Sequence, residues 1–149
     1  MITAYADTVG DVVQDDGEPG ATATVLWELP LATAGHVMGA GQIASPAGSD
    51  KTVFVFEART SDRGLTGSCH GIDEAAATRV ECLDVLALVD TANQVSVFGN
   101  ATIDGVPATY RIDADDVAEP GAGHDRFVIQ TSTGYSPAGA LLKGNVQLK

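Results

Sequence analysis

Aromatic and basic residues are scarce in this chain of 149 residues. Aromatic residues make up 5% of it, and 8 Lys and Arg residues stand against 20 Asp and Glu, which gives a formal net charge of -12. No cluster of Lys or Arg occurs along the sequence, so the basic footprint of a phosphate-tracking protein is missing. The composition therefore argues against nucleic acid and anionic membranes as partners. Every apolar run falls far short of the roughly 20 residues of a spanning helix, so no membrane span is predicted.

Sequence signatures of catalysis are also missing. The three histidines, His36, His70 and His124, form no His-x-His or His-x-x-x-His pair of the kind found in zinc sites. No Gly-x-Ser-x-Gly elbow and no phosphate-binding loop occurs. Cys69 precedes His70, but adjacent strand residues point to opposite faces, which argues against a thiolate–imidazole pair. The sequence therefore assigns no catalytic residue and leaves open whether the chain is an enzyme.

The two cysteines, Cys69 and Cys82, lie in segments with strand character. A hairpin that turns near Ala75 and Ala76 would place them opposite each other, which favours a disulfide. Such a bond would contribute about 3 kcal/mol in the chain-entropy treatment and is typical of an oxidising compartment. Two reduced, buried cysteines are the alternative.

The beginning of the chain bears on its compartment. Residues 1–20 lack the basic start and the apolar core of a signal peptide. The chain is therefore either cytoplasmic or an extracytoplasmic or secreted protein whose leader is absent from this sequence. The disulfide, if formed, favours the second.

Segments rich in β-branched residues recur along the chain, separated by Gly, Asp, Asn and Pro. This spacing predicts an all-β antiparallel domain of about eight strands, either a barrel or a sandwich. The predicted strands cover residues 36–44, 52–60, 65–72, 79–89, 94–103, 106–114, 126–131 and 140–148. Tyr110 and Ile112 alternate with polar neighbours, which indicates one buried and one solvent face. The segments 53–56 and 85–89 are apolar on both faces, which indicates strands covered on two sides or a contact surface.

The connection between the fifth and sixth predicted strands carries a specific turn signal. Asp104 and Gly105 form the dipeptide that suits a two-residue hairpin, because such a turn needs positive φ. The sequence therefore predicts a tight hairpin at this point.

The first 34 residues differ in character from the rest. Residues 1–20 are predicted to form a flexible acidic arm, and residues 21–149 a single all-β domain. Residues 24–29 offer one further possible strand. Trp27, the only tryptophan, is predicted to pack this region onto the domain, with ligand stacking as the alternative.

A cluster of carboxylates around Pro120 and Gly121 is the strongest candidate for chemistry. Its members are Asp113, Asp115, Asp116, Glu119 and Asp125. Carboxylates that alternate along a strand and continue past a turn can converge on calcium, which takes six to eight oxygen ligands. The spacing is not that of an EF-hand. The alternative is a solvated acidic loop, so the sequence suggests either calcium or no cofactor.

Several short motifs occur in a recognisable order. They are Gly-Ala-Gly-Gln-Ile at 39–43, Thr-Val-Phe-Val-Phe at 52–56, the acidic segment 113–121 with Asp-Arg-Phe at 125–127, Gly-Tyr at 134–135 and Gly-Asn-Val-Gln-Leu at 144–148. This order resembles the post-COAP domain family, small β-rich modules of bacterial secreted or surface proteins, over about residues 35–149. The resemblance implies an extracytoplasmic β-module of uncharacterised activity and supplies no catalytic residues. Val117 and Ala118 stand where Asn-Gly is commoner in that family, which argues against a metal-chelating turn.

Three classes of function follow from these observations. The first is a secreted or cell-surface β-module that binds a protein, a surface polymer or its own copies without catalysis. The second is a small β-barrel enzyme, of cyclase or isomerase type, that moulds a small molecule in its interior. Its candidate ligand-binding residues are Trp27, Glu57, Tyr110 and Arg111. The third is a calcium-stabilised adhesion domain. An accessible interior pocket would favour the enzyme, and a filled core would favour the module.

Overall fold

The computed structural model describes the backbone of residues 2–5 and 20–23, and the backbone and side chains of residues 35–149. The chain divides into two compact units, Met1–Leu31 and Ala32–Lys149. In the first unit, β1 (Ile2–Tyr5) pairs antiparallel with β2 (Gly20–Ala23). The possible strand at 24–29 and Trp27 lie outside the described residues. The flexible arm and the domain boundary after residue 20 stay predictions.

Ten strands of the second unit form one antiparallel sheet that curls into a half-barrel. They are β3 (His36–Ala44), β4 (Lys51–Ser61), β5 (Gly64–Asp73), β6 (Thr78–Cys82), β7 (Ala87–Asp90), β8 (Gln94–Ile103), β9 (Val106–Asp115), β10 (Arg126–Thr131), β11 (Ala138–Ala140) and β12 (Lys143–Leu148). Their order in the sheet is β11-β10-β9-β8-β6-β5-β4-β3-β12, and β7 also pairs with β8. The predicted all-β antiparallel fold is confirmed. Among the described residues, no helix has the length and apolar character needed to cross a bilayer.

Two of the eight predicted strands are each divided in the structure. The segment 79–89 becomes β6 and β7, which pair one after the other with the same side of β8. The segment 140–148 becomes β11 and β12, which lie at opposite ends of the strand order. The other six predicted strands are present with bounds that differ by one residue or none.

The hairpin between β8 and β9 turns through Asp104 and Gly105. Their φ angles are 52° and 82°, and Ile103 pairs directly with Val106. The tight two-residue turn that the sequence predicts is therefore confirmed.

The short link between β11 and β12 closes the curl. Leu141 and Leu142 join the two strands, so the opposite edges of the sheet are brought together. The Leu141 side chain is 1% exposed, and Gly139 of β11 lies beside the Ile43 side chain of β3. The interior is thus enclosed where β11 passes β3.

The core lies on the concave face of the sheet. Phe54 of β4 stacks on Phe127 of β10, with ring centroids 3.7 Å apart and planes 5° apart. Phe56 lies 5.6 Å from the same Phe127 ring. Since β4 and β10 are not neighbours in the sheet, these rings pack across the interior and fill it.

A disulfide joins Cys69 of β5 to Cys82 of β6. The register pairs His70 with Glu81, so the two cysteines face each other in the next pair of the ladder. The disulfide expected from the hairpin geometry is confirmed.

Candidate functional site

The convex surface of five neighbouring strands, β12, β3, β4, β5 and β6, is here termed the five-strand face. Its side chains form cross-strand rows, because residues that pair in a ladder project to the same side of the sheet. The first row is Lys143, Gln42, Val53, Ile72 and Arg79, and the second is Asn145, Ala40, Val55, His70 and Glu81. The third is Gln147, Met38, Glu57 and Ser68, and the fourth is Lys149, His36, Arg59 and Thr66.

Aliphatic side chains occupy the centre of the five-strand face. Val55 is 51% exposed and Val53 37%, and Met38 and Ile72 beside them are exposed to a similar degree. Phe54 and Phe56 of the same strand point inward and are buried. The apolar run on both faces of β4 indicated either a strand covered on two sides or a contact surface. In the described part of the chain, the outer face of β4 is exposed and nothing covers it. Contiguous exposed aliphatic groups of this kind mark interaction sites.

A groove of about 360 Å³ lies on this surface. It is lined by aliphatic groups of Met38, Ala40 and Val55 and by polar groups of Glu57, Asn145 and Gln147. The groove therefore combines an apolar surface with hydrogen-bonding groups, as binding sites usually do.

Basic residues are concentrated around this aliphatic centre. Lys51, Arg59, Arg79, Lys143 and Lys149 lie on the five strands with outward register, whereas Glu57 and Glu81 are the acidic residues there. Five basic side chains, against these two acidic ones and Glu119 at the β12 edge, give the face a net charge of +2 with neutral histidines, in a chain whose formal charge is -12. The fold thus gathers positive charge that is dispersed along the sequence.

The two carboxylates of the face already have local partners. Glu57 Oε1 lies 3.0 Å from His36 Nε2. Glu81 Oε1 lies 3.7 Å from Arg79 Nη1 and 4.0 Å from His70 Nδ1. At the β12 edge a third carboxylate, that of Glu119, accepts hydrogen bonds from Asn145 Nδ2 and Gln147 Nε2.

The acidic segment that follows β9 closes the outer edge of β12. Asp125 is fully buried, and its Oδ1 accepts hydrogen bonds from the backbone N–H groups of Val117 and Ala118 at 2.9 and 3.3 Å. Its Oδ2 accepts one from Val146 N at 2.9 Å. Asp116 Oδ2 accepts one from Leu148 N, also at 2.9 Å. Two carboxylates of the predicted calcium cluster therefore satisfy the edge amides of the last strand.

The other predicted metal ligands point elsewhere. Asp113 on β9 accepts hydrogen bonds from Ser96 Oγ at 2.6 Å and from Arg111 Nε at 2.9 Å. Asp115 pairs across the sheet with Arg126. Within the described residues, no group of three or more His, Cys, Asp or Glu side chains is placed to hold a metal ion. Calcium binding stays a prediction.

The predicted ligand-binding residues are distributed over different surfaces. Glu57 lines the groove of the five-strand face, whereas Tyr110 is buried in the core and its hydroxyl donates to the Asp84 carbonyl oxygen at 2.9 Å. Burial and the nearby Asp84 charge raise the pKa of Tyr110 to about 12. Arg111 is outside, with its guanidinium 5.5 Å from the centre of the Phe98 ring and an ion pair to Asp113. Among the described residues, Glu57 therefore lies apart from Tyr110 and Arg111, and Trp27 lies outside the part of the chain that the structure describes.

Arg111 borders a second, separate hollow of about 330 Å³. Leu86, Phe98 and Gln130 also line it, as does Tyr110, so two of the predicted ligand-binding residues border the same hollow. Arg111, the basic residue at this hollow, is already paired with Asp113 and stacked on Phe98.

The interior leaves little space. A cavity of about 10 Å³ lies between Phe54, Phe127 and Tyr135, which is the volume needed for a single water molecule. Another of about 10 Å³ lies between Val37, Leu88 and other residues near the end of the chain. In the part of the chain that the structure describes, these interior spaces cannot enclose an organic substrate.

A buried polar network around Asp73 was not anticipated from the sequence. The Asp73 carboxylate accepts hydrogen bonds from Ser45 Oγ at 2.7 Å, Thr52 Oγ1 at 3.2 Å and Tyr135 OH at 3.2 Å. The N–H groups of Ala75 and Ala76 donate to it as well, both at 3.1 Å. Burial alone would raise the pKa of Asp73, but these hydrogen bonds outweigh it and lower the pKa below 3.8. Burial and the Asp73 charge raise the pKa of Tyr135. The network ties β4 and β5 to the segment after β10.

Comparisons of the chain with protein-family models, with curated proteins and with solved structures find no match. The candidate site therefore rests on the geometry of the chain itself. One signal for it was present in the sequence, the alternation of Val with Phe at 53–56. The basic residues gave none, because they are far apart in the chain.

Proposed function

We propose that this chain is an extracytoplasmic binding module that holds a partner on the five-strand face. The observation that carries the proposal is the exposed aliphatic centre formed by Met38, Val53, Val55 and Ile72. A partner that covers this aliphatic surface on three adjacent strands removes it from water. This burial favours binding by about 25 cal/mol per Å² of apolar area. The partner gains specificity from the polar groups that line the adjoining groove.

The filled interior supports a surface module over an enzyme with a moulded internal chamber. Phe54 and Phe127 occupy the space that a substrate would need. The disulfide between Cys69 and Cys82 supports an oxidising, extracytoplasmic location. We also propose that the chain is a post-COAP-like module, since the order of its motifs resembles that family and the resemblance implies a β-rich extracytoplasmic protein.

Site-specific photo-crosslinking tests the proposed function. A photoreactive residue replaces Val55 on the face in one variant, and in the matched control it replaces Val106, which is 58% exposed at the β8–β9 turn. We expect a discrete adduct in the producing cells or their medium from position 55 only, and its loss when Val53→Asp is added. Absence of an adduct, or the same adduct from position 106, would contradict the proposal.

A further inference from the structure

We infer that the segment bound on the five-strand face is an extended acidic peptide with aliphatic residues among its carboxylates. The inference rests on the proposed function and adds the chemistry of the partner. It follows from two independent features of the face, namely the positive charge at its margins and the aliphatic groups between them.

The first feature is the placement of the basic residues. Lys143 and Arg79 terminate the row that contains Val53 and Ile72, and four strand spacings of about 4.8 Å place their Cα atoms about 19 Å apart. Six extended residues span about 20 Å. A peptide crossing the strands therefore has the length to bring a carboxylate to each end while its aliphatic side chains contact the valines.

These basic side chains are also available to a partner. Lys51, Lys143 and Lys149 form no ion pair within residues 35–149. Arg59 is held only by a 3.3 Å hydrogen bond from its Nε to Thr66 Oγ1. Arg79 contacts Glu81 at 3.7 Å on the surface, a pairing of small energy. Most of the positive charge is thus free to meet a partner.

Other occupants fit the face less well. Nucleic acid brings phosphates but no aliphatic groups for Val53 and Val55, and a chain of charge -12 repels its many phosphates at long range more strongly than the few carboxylates of a short peptide. An anionic membrane meets the same overall repulsion. A second copy docked face to face would set two positively charged faces against each other in a two-fold contact.

Fluorescence polarisation of labelled eight-residue peptides tests the inference. The probe, termed Glu-Val, has the sequence Glu-Ser-Val-Ser-Val-Ser-Glu-Ser, which places two carboxylates and two valines on the same side of an extended chain. Lys-Val replaces both Glu residues by Lys and tests the sign of the charge. Glu-Ser replaces both Val residues by Ser and tests the aliphatic contribution. We expect Glu-Val to bind more tightly than both, and its binding to weaken as salt rises. Reversal of charge in K143E/R79E should raise its Kd about tenfold or more, and V55S should also raise it.

The matched control is R126E, a single charge reversal on the convex side of β10, outside the face, which is compared with the single variants K143E and R79E. We expect its Kd to stay within about twofold of the wild type, with circular dichroism confirming that every variant is folded. Equal loss in R126E, or preferential binding of Lys-Val, overturns the inference. Binding of phosphatidylserine vesicles or an oligonucleotide, with the same dependence on Lys143 and Arg79 and without peptide binding, overturns it in favour of those ligands.

The two experiments distinguish a failure of the acidic-peptide inference from a failure of the proposed function. If Glu-Val fails to bind while position 55 still yields a discrete adduct, the face is a docking site and the acidic chemistry is wrong. If both experiments fail, the binding-module proposal falls together with the inference.

Discussion

Asp125 is a buried carboxylate whose three hydrogen bonds all come from backbone N–H groups. These donors belong to two separated parts of the chain, Val117 and Ala118 on one side and Val146 on the other. A carboxylate in this position joins the loop after β9 to the last strand. Its two oxygens accept hydrogen bonds from one buried amide and two partly buried ones, and a buried amide without an acceptor would cost about 1–3 kcal/mol.

The Asp125→Ala variant should lose about 3 kcal/mol or more of unfolding free energy, because three amides lose their acceptor. Asp116→Ala is the matched comparison, since it removes the acceptor of the Leu148 amide alone and should cost about 1 kcal/mol. Urea denaturation of the two variants measures the difference. Equal losses would show that the three amides find other acceptors.

Asp73 makes the stability of the protein dependent on acid. Because hydrogen bonding lowers its folded pKa below 3.8, the carboxylate stabilises the fold above that pH, and this contribution is lost as pH falls through the folded pKa. Asp73→Asn should therefore be less stable than the wild type at neutral pH, and the gap should narrow by about pH 2.5. Chemical denaturation at both pH values measures it.

Tyr135→Phe provides the comparison for Asp73. It removes one donor at 3.2 Å but keeps the carboxylate, so it should retain a fall of stability in acid. A constant difference between Asp73→Asn and the wild type at the two pH values would count against this assignment.

At the scale of single residues, the sequence located important carboxylates but gave no indication of the backbone amides that donate to them. Asp125 and Asp116 were singled out as oxygen ligands, yet their acceptor capacity is used by β12 amides that lie 21 and 32 residues away in the chain. Asp73 gave no signal, because its partners Ser45 and Tyr135 are distant in sequence. Long-range hydrogen bonds of this kind leave no local pattern.

The interruption between β6 and β7 is the main irregular element of the sheet. Leu83 N and Leu86 N donate to the carbonyl oxygens of Asn100 and Phe98, so the pairing with β8 continues across the break. Asp84 in the break accepts from Asn100 N at 2.8 Å and from Asn100 Nδ2 at 2.9 Å. These hydrogen bonds hold the pKa of Asp84 below its usual value. Such a bulge requires close backbone approach, which Gly99 permits.

Gly99→Ala should destabilise the protein by about 1–3 kcal/mol, because the added methyl group would overlap the Asp84 carbonyl oxygen and the Tyr110 ring. Gly71→Ala is the matched control in a neighbouring region of the sheet. Its methyl group would find its nearest neighbour at 3.7 Å, so the change should be close to neutral. Thermal denaturation of both variants measures the two losses of stability. Similar losses would show that the effect of Gly99→Ala does not come from the close approach at the bulge.

The bounds of the regular strands could be predicted from local sequence patterns. β3, β8 and β10 have the predicted bounds, because turn residues and β-branched runs define them locally. The segment 79–89 was predicted as one strand since its hydrophobic pattern continues through the bulge. The break depends on Gly99 and Asn100 of another strand, which a local pattern does not include.

At the scale of the whole molecule, closure depends on two adjacent leucines. Leu141 points into the core and is 1% exposed, whereas Leu142 is 54% exposed. The link that carries them joins the two edge strands of the ten-stranded sheet. The sequence could not decide between barrel and sandwich, because that choice depends on where these edges meet.

Leu141→Ala should cost about 2–5 kcal/mol, the range for removing a fully buried leucine side chain. Leu142→Ala should stay within about 0.5 kcal/mol of the wild type, since its side chain is mostly in water. Urea denaturation of the two variants tests whether the edges are held together through the core. A small loss for Leu141→Ala would mean that the cavity collapses or that closure does not depend on this side chain.

The distribution of charge also emerges only in the folded molecule. The basic residues of the five-strand face are dispersed between positions 51 and 149 of the sequence, and no stretch of the chain is rich in Lys or Arg. Antiparallel pairing of β12 with β3, and of β3 with β4, places Lys143 and Lys149 on the same face as Lys51 and Arg59. The candidate site was therefore only partly predictable, through the valines of β4.

The hydrogen bonds at the outer edge of β12 affect how the protein behaves at high concentration. An uncovered strand margin is a template onto which a foreign strand can add, and repeated addition yields fibrils. In this protein the amides of Val146 and Leu148 are engaged by Asp125 and Asp116, and negative charge stands where an incoming strand would have to lie. Folded copies crowded together should consequently resist polymerising along this border.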